Sequence, residues 1–240
     1  MRLILSTLTI LIGCHSLFAQ EFDSQRMGKL GVIKRTTELF YKSSRDTNIA
    51  NYIHEYFLDT NGTVIKSVST MVDRNELYMI KHYSYNSRGL KIREDVESFD
   101  YGNGGADTSK YSRLYKYNEN GHLISDNGLP INYTYDSQDR IITEIHTSKQ
   151  PSYYRKFTYT YNEQGQVSEK NEYRSSNVLV STMKFSYNDA GNLKSSEYSK
   201  PNNKSSVSMN LYNEKGLLSM IKYDEDSDRL KEQFRYEFKN

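Results

Sequence analysis

Apolar and polar residues alternate along most of this chain in short runs separated by turn-forming residues. Tyr115 and Tyr117, Tyr133 and Tyr135, Tyr159 and Tyr161, and Phe185 and Tyr187 occupy alternate positions, with Lys116, Thr134, Thr160 and Ser186 between them. Alternate residues of a strand share a face. The pattern therefore predicts strands with one aromatic face and one wet face, as antiparallel meanders commonly have. Leu30 to Tyr41 is ambiguous: Leu30, Ile33 and Phe40 could line a helix, while Val32, Ile33, Thr36 and Thr37 favour a strand, which is the reading preferred here.

The runs are joined by one repeated stretch. Tyr117, Asn118, Gly121 and Leu123 recur as Tyr161, Asn162, Gly165 and Val167, as Tyr187, Asn188, Gly191 and Leu193, and as Tyr212, Asn213, Gly216 and Leu218. Asn opens the turn because its side chain bonds the backbone two residues on. Gly comes fourth because a type I turn with a bulge needs the left-handed region there. In such a hairpin Tyr117 opposes Leu123, Tyr161 opposes Val167 and Tyr187 opposes Leu193, cross-strand pairs contributing roughly 0.2–1 kcal/mol each. Variants follow the same physics: Tyr135, Asp136, Asp139 and Ile141 put Asp where Gly stood, and Leu58, Asp59, Gly62 and Val64 form a Leu-led copy. In Tyr85, Asn86 and Gly89 the apolar slot holds Lys91, which leaves the register between Leu90 and Ile92 open.

Taken in order, the chain predicts hairpins over 51–70 and 77–98, a Gly-rich loop from Asp100 to Thr108, and regular hairpins from Tyr111 onwards, about sixteen short strands in all. Pro130, Pro151 and Pro201 fall between one copy and the next, where no ladder donor is lost. The expected fold is all-β: consecutive antiparallel β-hairpin repeats forming one long twisted or curled sheet, its end strands blunted by other segments.

Composition narrows the setting. Residues 1–19 read as an export signal, with Arg2, an apolar run from Leu3 to Ile12 and a cleavage site ending at Ala19, leaving one repeat domain over 20–240. The competing reading takes Leu11, Ile12, Gly13 and Cys14 as a lipobox with a lipid anchor on Cys14. Cleavage at Ala19 removes the chain's one cysteine, so neither disulfides nor thiolate chemistry are expected. No run suits a transmembrane helix of the mature chain. A formal net charge of +2 shows no footprint for nucleic acid. Tyr is unusually common, with 22 residues, and it buries a ring while keeping its hydroxyl near water.

The copies resemble the YD repeats of the RHS family, whose motif is an aromatic followed by Asn or Asp, two variable residues, Gly, one more and an aliphatic. In large family members such strands spiral into a shell around a toxin, and some relatives are linked to carbohydrate binding. The resemblance implies an exported bacterial repeat protein. This chain has no recognisable toxin module or self-cleavage segment, so no activity is implied.

Candidate chemistry is sparse. Asp224, Asp226 and Asp228 open like a calcium loop, but Arg229 and Arg235 stand where that loop needs Gly and Glu, which favours a charged hairpin turn. Asp100, Asn103 and Asp107 suit a solvated loop better than a cation site. His54, His82, His122 and His146 lack zinc spacing. Glu94, Asp95 and Glu97 would serve a glycosidase only if two carboxylates were held across a cleft. Tyr153 and Tyr154 lie outside the turn motif and are the candidate ligand-binding residues. No catalytic residue or cofactor is called for. The expected function is a non-enzymatic exported module, periplasmic, surface-associated or secreted, binding a glycan or protein partner over its sheet. The alternatives are a glycan-active enzyme with paired carboxylates and an outer-membrane β-barrel.

Overall fold

In a computed structural model the protein is described over residues 27, 29–41, 50–72, 74–102, 105–147, 154–203, 205–224 and 229–239. Sixteen strands follow one another: β1 (Val32–Tyr41), β2 (Tyr52–Leu58), β3 (Val64–Met71), β4 (Glu76–Tyr85), β5 (Lys91–Gly102), β6 (Gly105–Tyr117), β7 (Leu123–Asp126), β8 (Leu129–Tyr135), β9 (Ile141–His146), β10 (Arg155–Tyr161), β11 (Val167–Arg174), β12 (Val178–Tyr187), β13 (Leu193–Ser199), β14 (Ser206–Tyr212), β15 (Leu218–Tyr223) and β16 (Arg229–Phe238). Each pairs antiparallel with the next, and β1 pairs antiparallel with β16. The expected all-β succession of antiparallel hairpins is present, but the sheet closes into a barrel, which corrects the long twisted or curled sheet where that leaves the ends open. The end strands need no blunting because they pair with each other. Across that seam Arg235 donates from Nη2 to both carboxylate oxygens of Glu38 at 2.7 Å.

The turn motif behaves as its residues dictate. At Asn162 the side-chain oxygen accepts from the Gln166 amide at 2.8 Å, and the Gly165 amide donates back to the Asn162 carbonyl at 3.0 Å. Gly165 has φ +77°, and Asp139, the one Asp at that position, has φ +59°. Tyr117 opposes Leu123, Tyr161 opposes Val167 and Tyr187 opposes Leu193, each beside a one-residue register shift. The disputed copy resolves as Tyr85 opposite Lys91. Gly165→Val is expected to cost at least ~1–2 kcal/mol, the penalty of the left-handed region for a residue with a side chain; an unchanged melting temperature would count against this turn.

Periodicity alone does not reveal what the motif tyrosines do next. Most of the hydroxyls donate to the main-chain carbonyl that starts the second strand of the preceding hairpin: Tyr85 to Val64 (2.5 Å), Tyr117 to Lys91 (2.7 Å), Tyr161 to Ile141 (2.6 Å), Tyr187 to Val167 (2.8 Å) and Tyr212 to Leu193 (2.8 Å); Tyr236 of β16, outside the motif, makes the same bond to Leu218 (2.6 Å). Tyr135 instead bonds Nδ1 of His122 at 2.6 Å and stacks on its ring. One residue type therefore closes its own hairpin and staples it to the previous one, so each ring stays in the wall and each hydroxyl is satisfied.

The two faces separate as alternation requires. Tyr115, Tyr133, Tyr159, Phe185 and their neighbours point inward, while Lys116, Thr134, Thr160 and Ser186 are exposed outside. A compact apolar cluster of Met27, Val32, Leu58, Val64 and Leu217, joined by Tyr56, Tyr83, Tyr236 and Phe238, fills the turn end of the interior beside the β1–β16 seam. The segment read as a Gly-rich loop is a correction too: β5 and β6 continue through it, with Asp100 opposite Asp107 and Gly102 opposite Gly105. Gly there ends a long hairpin rather than opening a loop, because cross-strand pairing satisfies the backbone up to the tip.

Candidate functional site

Because the motif tyrosines face inward, every residue an even number of positions away along a regular strand faces inward with them. That parity carries charge into the interior. On β5, Glu94 lies opposite Tyr83 on β4 and Arg113 on β6, and it is 4% exposed. Lys81 Nζ lies 3.0 Å from one carboxylate oxygen and Lys91 Nζ 3.4 Å from the other, while the Tyr115 hydroxyl donates to Glu94 at 3.2 Å. Lys91 also sits over the Tyr115 ring at 4.4 Å and near that of Tyr83 at 5.5 Å, and Arg113 pairs with Asp126 at 2.9 Å. The tyrosines form ring walls around a buried carboxylate with several cations.

A second group stands on β9 to β11. Glu144 accepts from Tyr159 at 2.5 Å and pairs with His146. Lys170 lies over the Phe157 ring at 4.2 Å and the Tyr159 ring at 5.2 Å, and His146 meets Phe157 edge-on at 5.7 Å. Phe157 is flanked in register by Glu144 on one side and Glu172 on the other, and Glu172 accepts from Ser181 at 3.3 Å.

Burial by itself would push both carboxylates up. For Glu94 the attraction and hydrogen bond of Lys81, followed by Lys91 and Arg113, outweigh it and hold the group below the ordinary carboxylate range. For Glu144 the hydrogen bonds from His146 and Tyr159, with Lys170 behind them, do the same. Burial pushes the Lys91 ammonium down, partly offset by Glu94. Burial also raises the phenols of Tyr83, Tyr115 and Tyr133, and takes Tyr85 up to about 12. At neutral pH the interior therefore carries ionised carboxylates, cations and neutral phenols, a set suited to hydrogen-bonding and ring-stacking a polar solute.

The residues singled out from sequence fare unevenly. Tyr154 is half-buried ahead of β10, and Tyr153 lies outside the described residues. Asp224 bonds the Val207 amide through its side chain, and its own amide donates to the Val207 carbonyl at 3.0 Å, so it serves the β14–β15 pairing; Asp226 and Asp228 lie outside the described residues. Asp100 and Asp107 are exposed, and Asn103 lies outside the described residues, as do Cys14 and the whole of residues 1–19. Among the described residues no group of three or more His, Cys, Asp or Glu side chains gathers as a metal site would need. Glu94 and Asp95 face opposite sides of the wall: Asp95 bonds Arg93 and Ser112 outside. Glu144, His146, Lys170 and Lys91 were not identified as a site from sequence. Their strand parity with the motif tyrosines was the available signal.

No family model matches the chain, and no curated protein matches it. Among solved structures, a porin-like protein from Bacteroides uniformis is 7% identical with a TM-score of 0.42, over 86% of this chain and 98% of that one. A structure of TcdB2-TccC3-Cdc42 is 12% identical with a TM-score of 0.36, over 82% of this chain and 13% of that one. A protein with unknown function from Bacteroides fragilis is 14% identical with a TM-score of 0.19, over 55% of this chain and 94% of that one. The barrel itself rests on the strand pairing: its sixteen strands close, which fits the barrel alternative better than an open-sheet binding module.

Proposed function

We propose that this chain works as an exported closed β-barrel of the cell envelope, with its interior rather than an outward sheet surface as the working face. The observation that carries this reading is the pairing of β1 with β16, which turns the tyrosine-rich face inward around Glu94 and Glu144. Such an interior would hold or pass a polar solute that stacks on rings and bonds to charged groups.

The outward face bears on where the barrel sits. Arg93, Lys116, Lys184, Lys194, Lys222 and Arg235 are exposed on strands of the outer wall. A Lys or Arg facing lipid at the bilayer midplane costs roughly 2–4 kcal/mol, falling towards zero at the interfaces. These charges support a barrel standing in water at the envelope. A seat in the outer membrane is the second reading, favoured by closure and by Val207, Met209 and Leu211, which are exposed along the outer side of β14.

Fractionation of cells expressing the chain with its own leader separates the two. A water-seated barrel is expected in the soluble envelope fraction or in an alkaline carbonate wash. Recovery only with detergent, without a lipid on Cys14, would establish the membrane seat. Recovery only from the cytoplasm would overturn the exported reading altogether.

A further inference from the structure

Met27 lies inside the ring of strands and not on it. The whole residue, main chain included, is 0% exposed, and it packs with Val32, Leu58, Val64 and Leu217 at the turn end of the interior. The chain joins the wall only at Gly31, whose φ of +70° turns it into β1, and the Lys239 amide donates to the Gly31 carbonyl at 2.7 Å beside the seam. With its backbone enclosed at Met27, the chain ahead of that residue sets out from within the barrel.

The interior beyond this cluster is filled. An empty barrel of about 16–18 strands leaves an aqueous channel, and water in it would reach short inward side chains. Ser67 and Ser69 on β3, Ser181 on β12, Ser196 on β13 and Ser208 on β14 face inward, opposite Tyr56, His54, Glu172, Phe185 and Tyr223. These side chains are too short to fill a lumen, yet all five are only 5–8% exposed. Thr37, inward on β1 opposite His54, is 5% exposed, and its hydroxyl has no hydrogen-bond partner among the described residues. A buried hydroxyl left unpaired costs roughly 1–3 kcal/mol, so the position calls for a polar group to meet it.

We propose that residues 20–26 occupy the lumen as a built-in plug, anchored by Met27 and reaching the level of Thr37. Thr37 lies opposite His54, which stands four positions along β2 from Leu58 of the apolar cluster, about 13 Å deeper. Four extended residues span about the same distance, which carries Asp23 and Ser24 to the Thr37 hydroxyl. The composition of the segment suits the lining. Gln20, Ser24 and Gln25 can meet Thr37 and the serines, and Phe22 can lie against the inward rings. The proposal deepens the reading of the interior as the working face and rests on it in one respect: a solute entering the lumen must displace the plug.

The test uses the full exported chain with Cys14→Ser as background and a polyethylene glycol maleimide as probe, with no solute added. Ser24→Cys is expected to react at least about tenfold more slowly than Thr60→Cys, exposed in the β2–β3 turn, and at the same rate once urea unfolds the barrel. A second pair of variants reads the side of the wall. Thr36 and Thr37 are adjacent and face opposite sides, so a short bismaleimide should join Ser24→Cys to Thr37→Cys and not to Thr36→Cys. Thr37→Cys is nearly isosteric, and circular dichroism would establish that each variant folds. Equal labelling at positions 24 and 60 overturns the proposal, as does cross-linking to position 36 or to neither. A plug that fails this test leaves the fractionation result standing, and a failed fractionation leaves the plug standing.

Discussion

Glu94→Leu is expected to lower the free energy of unfolding by about 3–5 kcal/mol, the range seen when one partner of a buried ion pair is removed. The substitution takes the carboxylate from Lys81, Lys91 and the Tyr115 hydroxyl together, leaving Lys91 between two rings with no counter-ion in contact. Urea denaturation measures the loss. A change below about 1 kcal/mol, the scale of an exposed pair, would show that water screens this cluster. The pH dependence has a defined sign. Glu94 ionises more readily folded than unfolded, so its contribution is fully present above the unfolded value near 4.5 and fades as pH falls through its lower folded value. The gap between wild type and variant should therefore narrow on acidification below that point. Glu144 shifts in the same direction and keeps the variant acid-sensitive in part.

Phe157→Ala is the second large effect, expected at about 3–5 kcal/mol because a buried aromatic leaves a cavity that its surroundings fill only in part. Phe157 is 7% exposed and is the surface on which Lys170 and His146 rest. Its loss takes one of the rings from under Lys170 as well as opening space, so the melting temperature of Phe157→Ala should fall well below that of Gly165→Val, which strains one turn. Equal melting temperatures would mean that the interior near Glu144 repacks without Phe157.

The hairpins were legible in the sequence because their causes are local. Asn162 and Gly165 specify a turn, and the turn specifies that Tyr161 opposes Val167. Closure was not legible, since it depends on β1 meeting β16, two segments at opposite ends of the chain whose pairing no local pattern encodes. The interior charges were hidden for a related reason. Lys91 occupies a slot that other copies give to Val64, Ile141, Val167 or Leu193, and it reads as a register error until Glu94 is seen beside it. Glu94 and Asp95 are adjacent acids in sequence, yet one is enclosed and the other bonds outside. Strand parity distinguishes them, given one fixed point such as Tyr83. The Gly-rich segment misled through composition: Gly102 and Gly105 belong to a ribbon whose pairing overrides their preference for loops.

The seam between β1 and β16 also sets an order of events during folding. Hairpins joined by the Asn–Gly turns need only neighbours in sequence and can form as the chain emerges. Arg235 must instead find Glu38 across 197 residues, and a contact of that separation demands a large loss of chain freedom before it repays anything. Until the last strand arrives, β1 and the growing end of the sheet are both open to stray pairing. The slow and aggregation-exposed step of this protein is therefore closure of the ring, and a chain cut short before β16 would be a nearly complete sheet with two adhesive margins.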